Sequence, residues 1–444
     1  MKTPLLGLLV AGSLALGAPV ARGDEPVGAQ HPPSATLPMR AAPVLPAEDV
    51  ALLSEKVLTC AEDGPLVVDH GVVLVSGGKI VAVGKQGEVE IPEGYRVHDV
   101  GSDWLMPGMI DLHSHIAGTF DINDGVFLTN PGLRANVAVV PENPSLRRAL
   151  AAGVTGILFI PGSAANITGH GVLLKTGMPT YEGMEVRAPG SMKLAQSGNP
   201  ERFAWGVARS FMNYHTRETL KRGIAYAERW QRFEAGEGPE PEIDIQFEVF
   251  RWLVPRHSQI SAHTQIYQVV AESLMMVVEE LELPLFIDHG TIGAWKLGPE
   301  IARLDVSAAL GPRNVDSPSR GFMSWSQNIQ YEGWRGTAVG YQDAGVQDIA
   351  FNTDAPVMPQ EELQLQATVA ARHGFRDESM QTILGLTIVP ARIANISHRT
   401  GSIEVGKDAD ILQITGHPAD PRSAVNRVWI EGHEVYDAED KREY

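Results

Sequence analysis

Residues 107–115 read Pro107-Gly108-Met109-Ile110-Asp111-Leu112-His113-Ser114-His115. An apolar run that ends in His-x-His is expected to be a strand with both imidazoles on one face, because side chains two apart in a strand point the same way. At the C-terminal end of a strand in a barrel of parallel strands, that face looks into the mouth where chemistry is done. Neutral imidazole suits zinc and related divalent metals, and two imidazoles from one strand make a rigid pair. The same short pattern also occurs in ordinary solvated loops, so the reading needs partners elsewhere in the chain.

Three later polar residues also end apolar runs: His263 after Gln259, His289 after Leu285 and Asp354 after Ile349. Taken singly, His263 reads equally as the first residue of a helix, His289 as a turn residue before Gly290, and Asp354 as a cap before Ala355-Pro356. Together they are spaced for a shared site. His113, His263, His289 and Asp354 follow one another at intervals of 150, 26 and 65 residues. If they close strands one, five, six and eight, the steps cover four, one and two strand-helix units of ~30 residues or more each.

The span from Met106 to Arg399 supports this, alternating short apolar strands with amphipathic helical stretches. Eight strands are expected, at Met109–His113, Gly153–Ile160, Gly171–Leu174, Ser191–Ala195, Gln259–His263, Leu285–His289, Val306–Leu310 and Ile349–Asp354. The expected fold class is α/β, a (β/α)₈ TIM-like barrel of ~250 residues plus insertions. No Gly-rich dinucleotide fingerprint supports the alternative, an open doubly wound sheet. The stretch Glu218–Arg256 is surplus to the repeat and reads as two helices around a Gly-Pro-Glu loop, a lid or an interface.

Both ends of the chain are β-rich. Val68–Val75 and Lys79–Val83 flank Gly77-Gly78, while Ala409–Ile414, Val425–Ile430 and Val435-Tyr436 follow one another with a turn at Glu431-Gly432. This predicts a small β-sandwich domain made of residues 49–105 and 400–444 around the barrel at 106–399. Ahead of it, Met1-Lys2-Thr3, an apolar run from Pro4 to about Leu16 and small residues to Gly23 have the order of a secretory signal peptide, residues 1–23. Residues 24–48 are a Pro- and Ala-rich linker. The expected location is therefore exported, periplasmic or extracellular. The apolar run falls short of the ~20 residues that span a bilayer, so no stable membrane anchor is expected.

Composition narrows the partners. The 444 residues are 43% hydrophobic, which suffices for a large core. With 54 acidic against 36 basic residues the formal charge is −18, which repels phosphate backbones and speaks against nucleic acid. A small-molecule substrate is the expected partner, and the oligomeric state, a homo-oligomer included, is left open. One cysteine, Cys60, makes neither an internal disulfide nor a cysteine-rich zinc site, so a metal must rely on His, carboxylate or lysine-derived ligands.

The Pro-Gly-x-Ile-Asp-x-His-x-His segment, Asp288-His289-Gly290-Thr291, Asn352-Thr353-Asp354 and the tail Gly401-Ser402-Ile403-Glu404-Val405-Gly406-Lys407-Asp408-Ala409-Asp410-Ile411 together resemble the amidohydrolase superfamily. The similarity runs from about Ala51 to Tyr436 and is nearest to the imidazolonepropionase-like and prolidase-like branches. It implies a divalent metal centre, zinc by preference with one or two ions, held by His113, His115, His263, His289 and Asp354. In two-metal branches a fourth-strand lysine is carboxylated and bridges the ions. Lys193 fits that position better than Lys175, which follows His113 too closely for three strand-helix units. The resemblance further implies cleavage of a C–N bond in an amide, peptide-like or cyclic amide substrate by metal-activated water. Asp354 would act as proton shuttle, and His289 as ligand or oxyanion stabiliser. A deaminase or lactonase on the same site is the alternative, and an inactive binding barrel a more distant one.

Further residues are expected at the substrate pocket. The loop Pro161–Gly171, with His170 near its end, offers backbone N–H groups and small polar side chains. His215, Arg217 and Arg313 are candidate anion clamps, with surface salt bridges as the simpler reading.

Overall fold

The computed structural model describes residues 48–443 apart from 119–121, 126, 197–199, 201–207, 313–314 and 317–334. The expected signal peptide, most of the linker and Arg313 lie outside the described residues. Among the described residues no helix is long and apolar enough to cross a membrane.

The architecture is mixed α/β. The N-terminal part supplies β1 (Val50–Leu58), β2 (Val67–Ser76), β3 (Lys79–Lys85), β4 (Arg96–Asp99) and β5 (Trp104–Pro107). The central part supplies β6 (Met109–Ser114), β7 (Val154–Phe159), β8 (Ile167–His170), β9 (Val172–Lys175), β10 (Glu185–Arg187), β11 (Ser191–Ala195), β12 (Gln259–Thr264), β13 (Leu285–His289), β14 (Ser307–Leu310), β15 (Val315–Asp316), β16 (Arg335–Gly336) and β17 (Ile349–Phe351). The C-terminal part supplies β18 (Ile411–Ile414), β19 (Val425–Ile430) and β20 (His433–Asp437).

The two ends meet in one eight-stranded sheet, ordered β20-β19-β18-β5-β1-β2-β3 with β4 also paired to β1. The expectation was a sandwich; the described residues give this single sheet with apolar residues on both faces. Alternation along β1 explains the two faces: Val50 and Leu52 join one cluster with Val73, Ile411 and Trp429, while Ala51 joins Val72 and Leu74 in another.

In the central part β11, β12, β13, β14 and β17 run parallel in sequence. On the other side β6 and β7 run parallel, and Ser114 bridges to Ala355 just past β17. All six residues of β6 are buried, as a strand covered on both faces requires. Burying side chains such as Ile110 and Leu112 contributes roughly 1.5–3 kcal/mol each.

Each of the eight expected strand segments carries a strand, but the third differs in direction and the loop before it is partly strand. β8 and β9 form one extended run interrupted at Gly171. Before the interruption the run pairs antiparallel with β11, and after it antiparallel with β7. A Cβ at Gly171 would lie 2.4 Å from the Phe159 carbonyl oxygen, so the close crossing at the switch of partners requires glycine.

A buried ionic cluster fastens the end sheet to the central part. Lys175 at the end of β9 sets its Nζ 2.7 Å from Asp408, 3.0 Å from Asp410 and 3.1 Å from Glu431. Arg399 adds a contact of 2.8 Å to Asp408, and Lys79 a further one to the same carboxylate. Burial pushes the Lys175 ammonium down, but Asp410, Asp408 and Glu431 outweigh it and hold the pKa above the ordinary lysine value. Lys175 is thus spent on this junction. Lys175→Met would leave buried carboxylates short of a cation, and a loss of about 3–5 kcal/mol is expected. Urea denaturation checks this, and an unchanged midpoint would show that the cluster does not fasten the sheet.

Candidate metal centre

The ends of β6, β12 and β13 and the turn after β17 bring four imidazoles and a carboxylate together. His113 lies on the same face of β6 as Asp111, by the two-residue alternation of the strand. His263 is paired with Asp288 across β12 and β13, and His289 closes β13. His289 has φ 79° and Asp354 φ 52°, both in the left-handed region. Non-glycine residues held there cost roughly 1–3 kcal/mol each and cluster at functional sites, where the surroundings fix them.

Two overlapping ligand sets result: His113, His263 and His289, and His113, His115 and Asp354. Nε2 of His113 lies 3.1 Å from Nε2 of His115 and 3.1 Å from Oδ1 of Asp354. Nε2 of His289 lies 3.0 Å from Nδ1 of His263. The far side of each of three rings is tied to an acceptor. Nδ1 of His115 donates to the Ile160 carbonyl at 2.8 Å, Nδ1 of His289 to the Gly311 carbonyl at 2.8 Å, and Nδ1 of His113 to the Asp288 carboxylate at 2.7 Å. With those protons on Nδ1, each ring in its neutral form turns its Nε2 lone pair inward.

That geometry tests whether a metal fits. The His113 and His115 Nε2 lone pairs, facing each other at 3.1 Å, repel unless a proton or a metal cation stands between them. Tetrahedral zinc with Zn–N of about 2.0–2.1 Å sets neighbouring ligand nitrogens about 3.3 Å apart, so small movements suffice to accommodate an ion. Acceptors behind ligand imidazoles are also the arrangement that orients such ligands in metal sites. The donor set, imidazoles and a carboxylate without thiolate, suits zinc and similar divalent ions.

The electrostatics point the same way. Burial and the neighbouring His289 and Lys193 push His263 well below its ordinary value; burial and His113 push His289 down to about 4. Both are neutral near pH 7, as ligands must be. His113 differs: burial opposes its protonation, but the Asp288 and Asp354 carboxylates prevail and push it up to about 9. Positive charge is favoured between those carboxylates. Asp354 is itself held below the usual carboxylate range, burial being outweighed by His113 and His289.

Lys193 reaches the cluster from β11, its Nζ 3.1 Å from Nε2 of His113 and 3.3 Å from Asp288. The other expected site residues are arranged differently. None of the hydrogen bonds or ion pairs that tie the cluster together, among the described residues, involves His170, His215 or Arg217. His170 is buried at the end of β8 opposite Met192, and burial with Arg134 pushes it down to about 4. His215 stacks on Phe211 near the start of the helix Arg209–Glu234, and Arg217 on the same helix pairs with Glu280 at 2.8 Å. That ion pair corresponds to the simpler expectation for Arg217.

Sequence reasoning gave no role to Asp288, the hub behind the ligands. Besides His113 and Lys193 it accepts from Ser261 Oγ at 2.9 Å. The signal was available in an acidic residue beside a strand-end histidine. Alternation alone would turn neighbours to opposite faces; the left-handed backbone at His289 lets both face the site.

Comparisons with known proteins agree. A family model described as the amidohydrolase family matches residues 341–435. The amidohydrolase tasK of Hapsidospora irregularis is 25% identical over 403 residues, covering 83% of this chain, which in turn spans 40% of that relative's length. The crystal structure of an amidohydrolase from Thermotoga maritima MSB8 is 28% identical with a TM-score of 0.76, covering 87% of this chain and 100% of its own. A prolidase complexed with N-methylphosphonate-L-proline shares the fold, at 16% identity and a TM-score of 0.54, over 88% of this chain and 100% of its own. The likeness is to the amidohydrolase superfamily, by a family model over residues 341–435 and by relatives of 25% and 28% identity. Among the described residues this chain's His and Asp cluster could hold a metal ion.

Asp288→Asn keeps the shape but removes the charge behind His113 and Lys193. Loss of such an outer partner costs about 10- to 100-fold in metal affinity. Competition for Zn²⁺ against a chromophoric chelator reads this directly, and unchanged affinity would remove Asp288 from its supporting role.

Proposed function

We infer that this chain is an exported, metal-dependent hydrolase that cleaves a C–N bond in a small amide, peptide-like or cyclic amide substrate. The observation that carries the reading is the convergence of His113, His115, His263, His289 and Asp354 with inward-facing lone pairs. The central part is read as a distorted (β/α)₈ barrel. The Ser114–Ala355 bridge between its first and last strands supports closure, and the β8–β9 run is its irregular third position.

A divalent ion held by these residues would supply Lewis acidity toward the scissile carbonyl and lower the pKa of water to roughly 7. Asp354 accepts the proton of the attacking water and delivers it to the leaving nitrogen, its low pKa keeping it ionised until the proton arrives. His289, anchored on Gly311, holds its Nε2 toward the reacting centre. For Lys193, burial pushes the ammonium down against the pull of Asp288 and Asp354, favouring the neutral amine that carboxylation requires. A carboxylated Lys193 would bridge two ions; an unmodified one would leave a single ion.

Replacing Asp354 with Asn preserves size but removes basicity, and kcat is expected to fall by ~10²-fold or more with metal largely retained. The assay screens dipeptides, N-acyl amino acids, hydantoins and lactones, with product analysis for amine, carboxylate or released ammonia. A near-wild-type kcat in Asp354→Asn would rule out this base. Export rests on the order of basic, apolar and small residues in the first 23 positions. N-terminal sequencing of protein secreted by the native host should find a start between about Ala18 and Gly23, whereas intact Met1 in the cytoplasm would refute export.

A further inference from the structure

Asp111 is buried two residues before His113, and among the described residues its hydrogen bonds go to backbone, Thr353 and Gln360, yet its carboxylate joins both halves of the His113, His115 and Asp354 set. One oxygen accepts the His113 backbone N–H at 2.9 Å. The other accepts the Thr353 backbone N–H at 3.0 Å, the Thr353 hydroxyl at 2.6 Å and the side-chain amide of Gln360. The Thr353 hydroxyl in turn accepts the Ala355 N–H at 3.2 Å, and the Ala355 carbonyl accepts the His115 N–H at 2.9 Å. The chain of bonds thus runs from His113 through Asp111, Thr353 and Ala355 to His115. Asp354 sits inside this ring with its backbone in the left-handed region.

We propose that Asp111 and Thr353 are positioning residues that hold the Asp354 carboxylate against His113 and His115. The inference rests on the reading that Asp354 contacts the metal and handles the proton. Four donors converge on two oxygens, so the clamp needs a carboxylate: an amide has one acceptor oxygen and would turn N–H toward N–H. A left-handed aspartate that nothing restrained would relax toward ordinary backbone and carry its carboxylate away from the imidazoles.

The test uses Co²⁺ alone as the probe, added to the metal-free full chain and read by visible d–d absorption, which reports both affinity and coordination. Thr353→Val removes the hydroxyl and keeps the shape; Thr353→Ser keeps the hydroxyl. Thr353→Val is expected to bind Co²⁺ ~10-fold more weakly with an altered band, the lower end of the effect of outer partners, while Thr353→Ser restores the wild-type spectrum. Thermal melts followed by circular dichroism verify folding, and Gln360→Leu, which removes a single donor to Asp111, replaces Thr353→Val should that variant not fold. Asp354→Asn is measured alongside. If it perturbs the spectrum while Thr353→Val and Gln360→Leu match wild type, the positioning role is overturned. If Asp354→Asn itself leaves affinity and spectrum unchanged, Asp354 is no metal contact and the reading beneath the proposal fails instead.

Discussion

Imidazoles buried with their lone pairs aimed at one another demand a shared positive charge, and the arrangement around the centre follows from that demand. The rings cannot turn away, because Ile160, Gly311 and Asp288 hold their outer nitrogens. Nor can they swing apart, because strand pairing between β12 and β13 fixes His263 and His289 one residue out of register with each other. Close-packed interiors transmit such constraints without slack. The burial of Asp288 and Asp354, which would be costly for lone carboxylates, becomes favourable beside a cation.

The electrostatic design is layered. Asp354 and the imidazoles face the centre. Behind them Asp288 gathers His113, Lys193 and Ser261, and Asp111 gathers the backbone of β6 and the turn after β17. Lys175 and Lys193, both buried and both on strands of the central part, shift in opposite directions: three carboxylates outweigh burial and raise the first, whereas burial outweighs Asp288 and Asp354 and lowers the second. The same side chain therefore serves as a structural cation in one place and as a candidate nucleophile toward CO₂ in the other.

Much of this was legible in the sequence because the decisive residues end apolar runs. His113, His263 and His289 stand at or beside the end of a buried strand and Asp354 in the turn after one, so spacing suggested a shared site and the family resemblance supplied the ligand set. The third strand was misjudged in direction, since its reversal depends on the tertiary approach of Gly171 to Phe159, which local pattern does not encode. Asp288 was passed over because its inward direction depends on the backbone at the next residue. His170 was placed by its loop, and His215 and Arg217 as cationic side chains; Arg217 pairs with Glu280 and His215 stacks on Phe211. The sandwich expectation had the right strands; alternation shows that both faces are apolar but not whether a second layer covers them.

The seating of β18 against β5 sets the order in which the molecule can be completed. Ile411–Ile414 pairs with Trp104–Pro107, and Asp408, Asp410 and Glu431 reach Lys175, so the carboxylates that neutralise that lysine follow it in the chain by 233, 235 and 256 residues. During synthesis the ribosome must pass Asp408 before the ammonium gains its first counter-ion, and Ile411 before β5, already paired with β1, gains its second partner. Contacts between such distant segments form late and slowly. A nascent chain halted before Asp408 would carry an open strand edge and a buried ammonium without its carboxylates, so the junction that stabilises the finished molecule leaves an incomplete one open to chaperones or proteases.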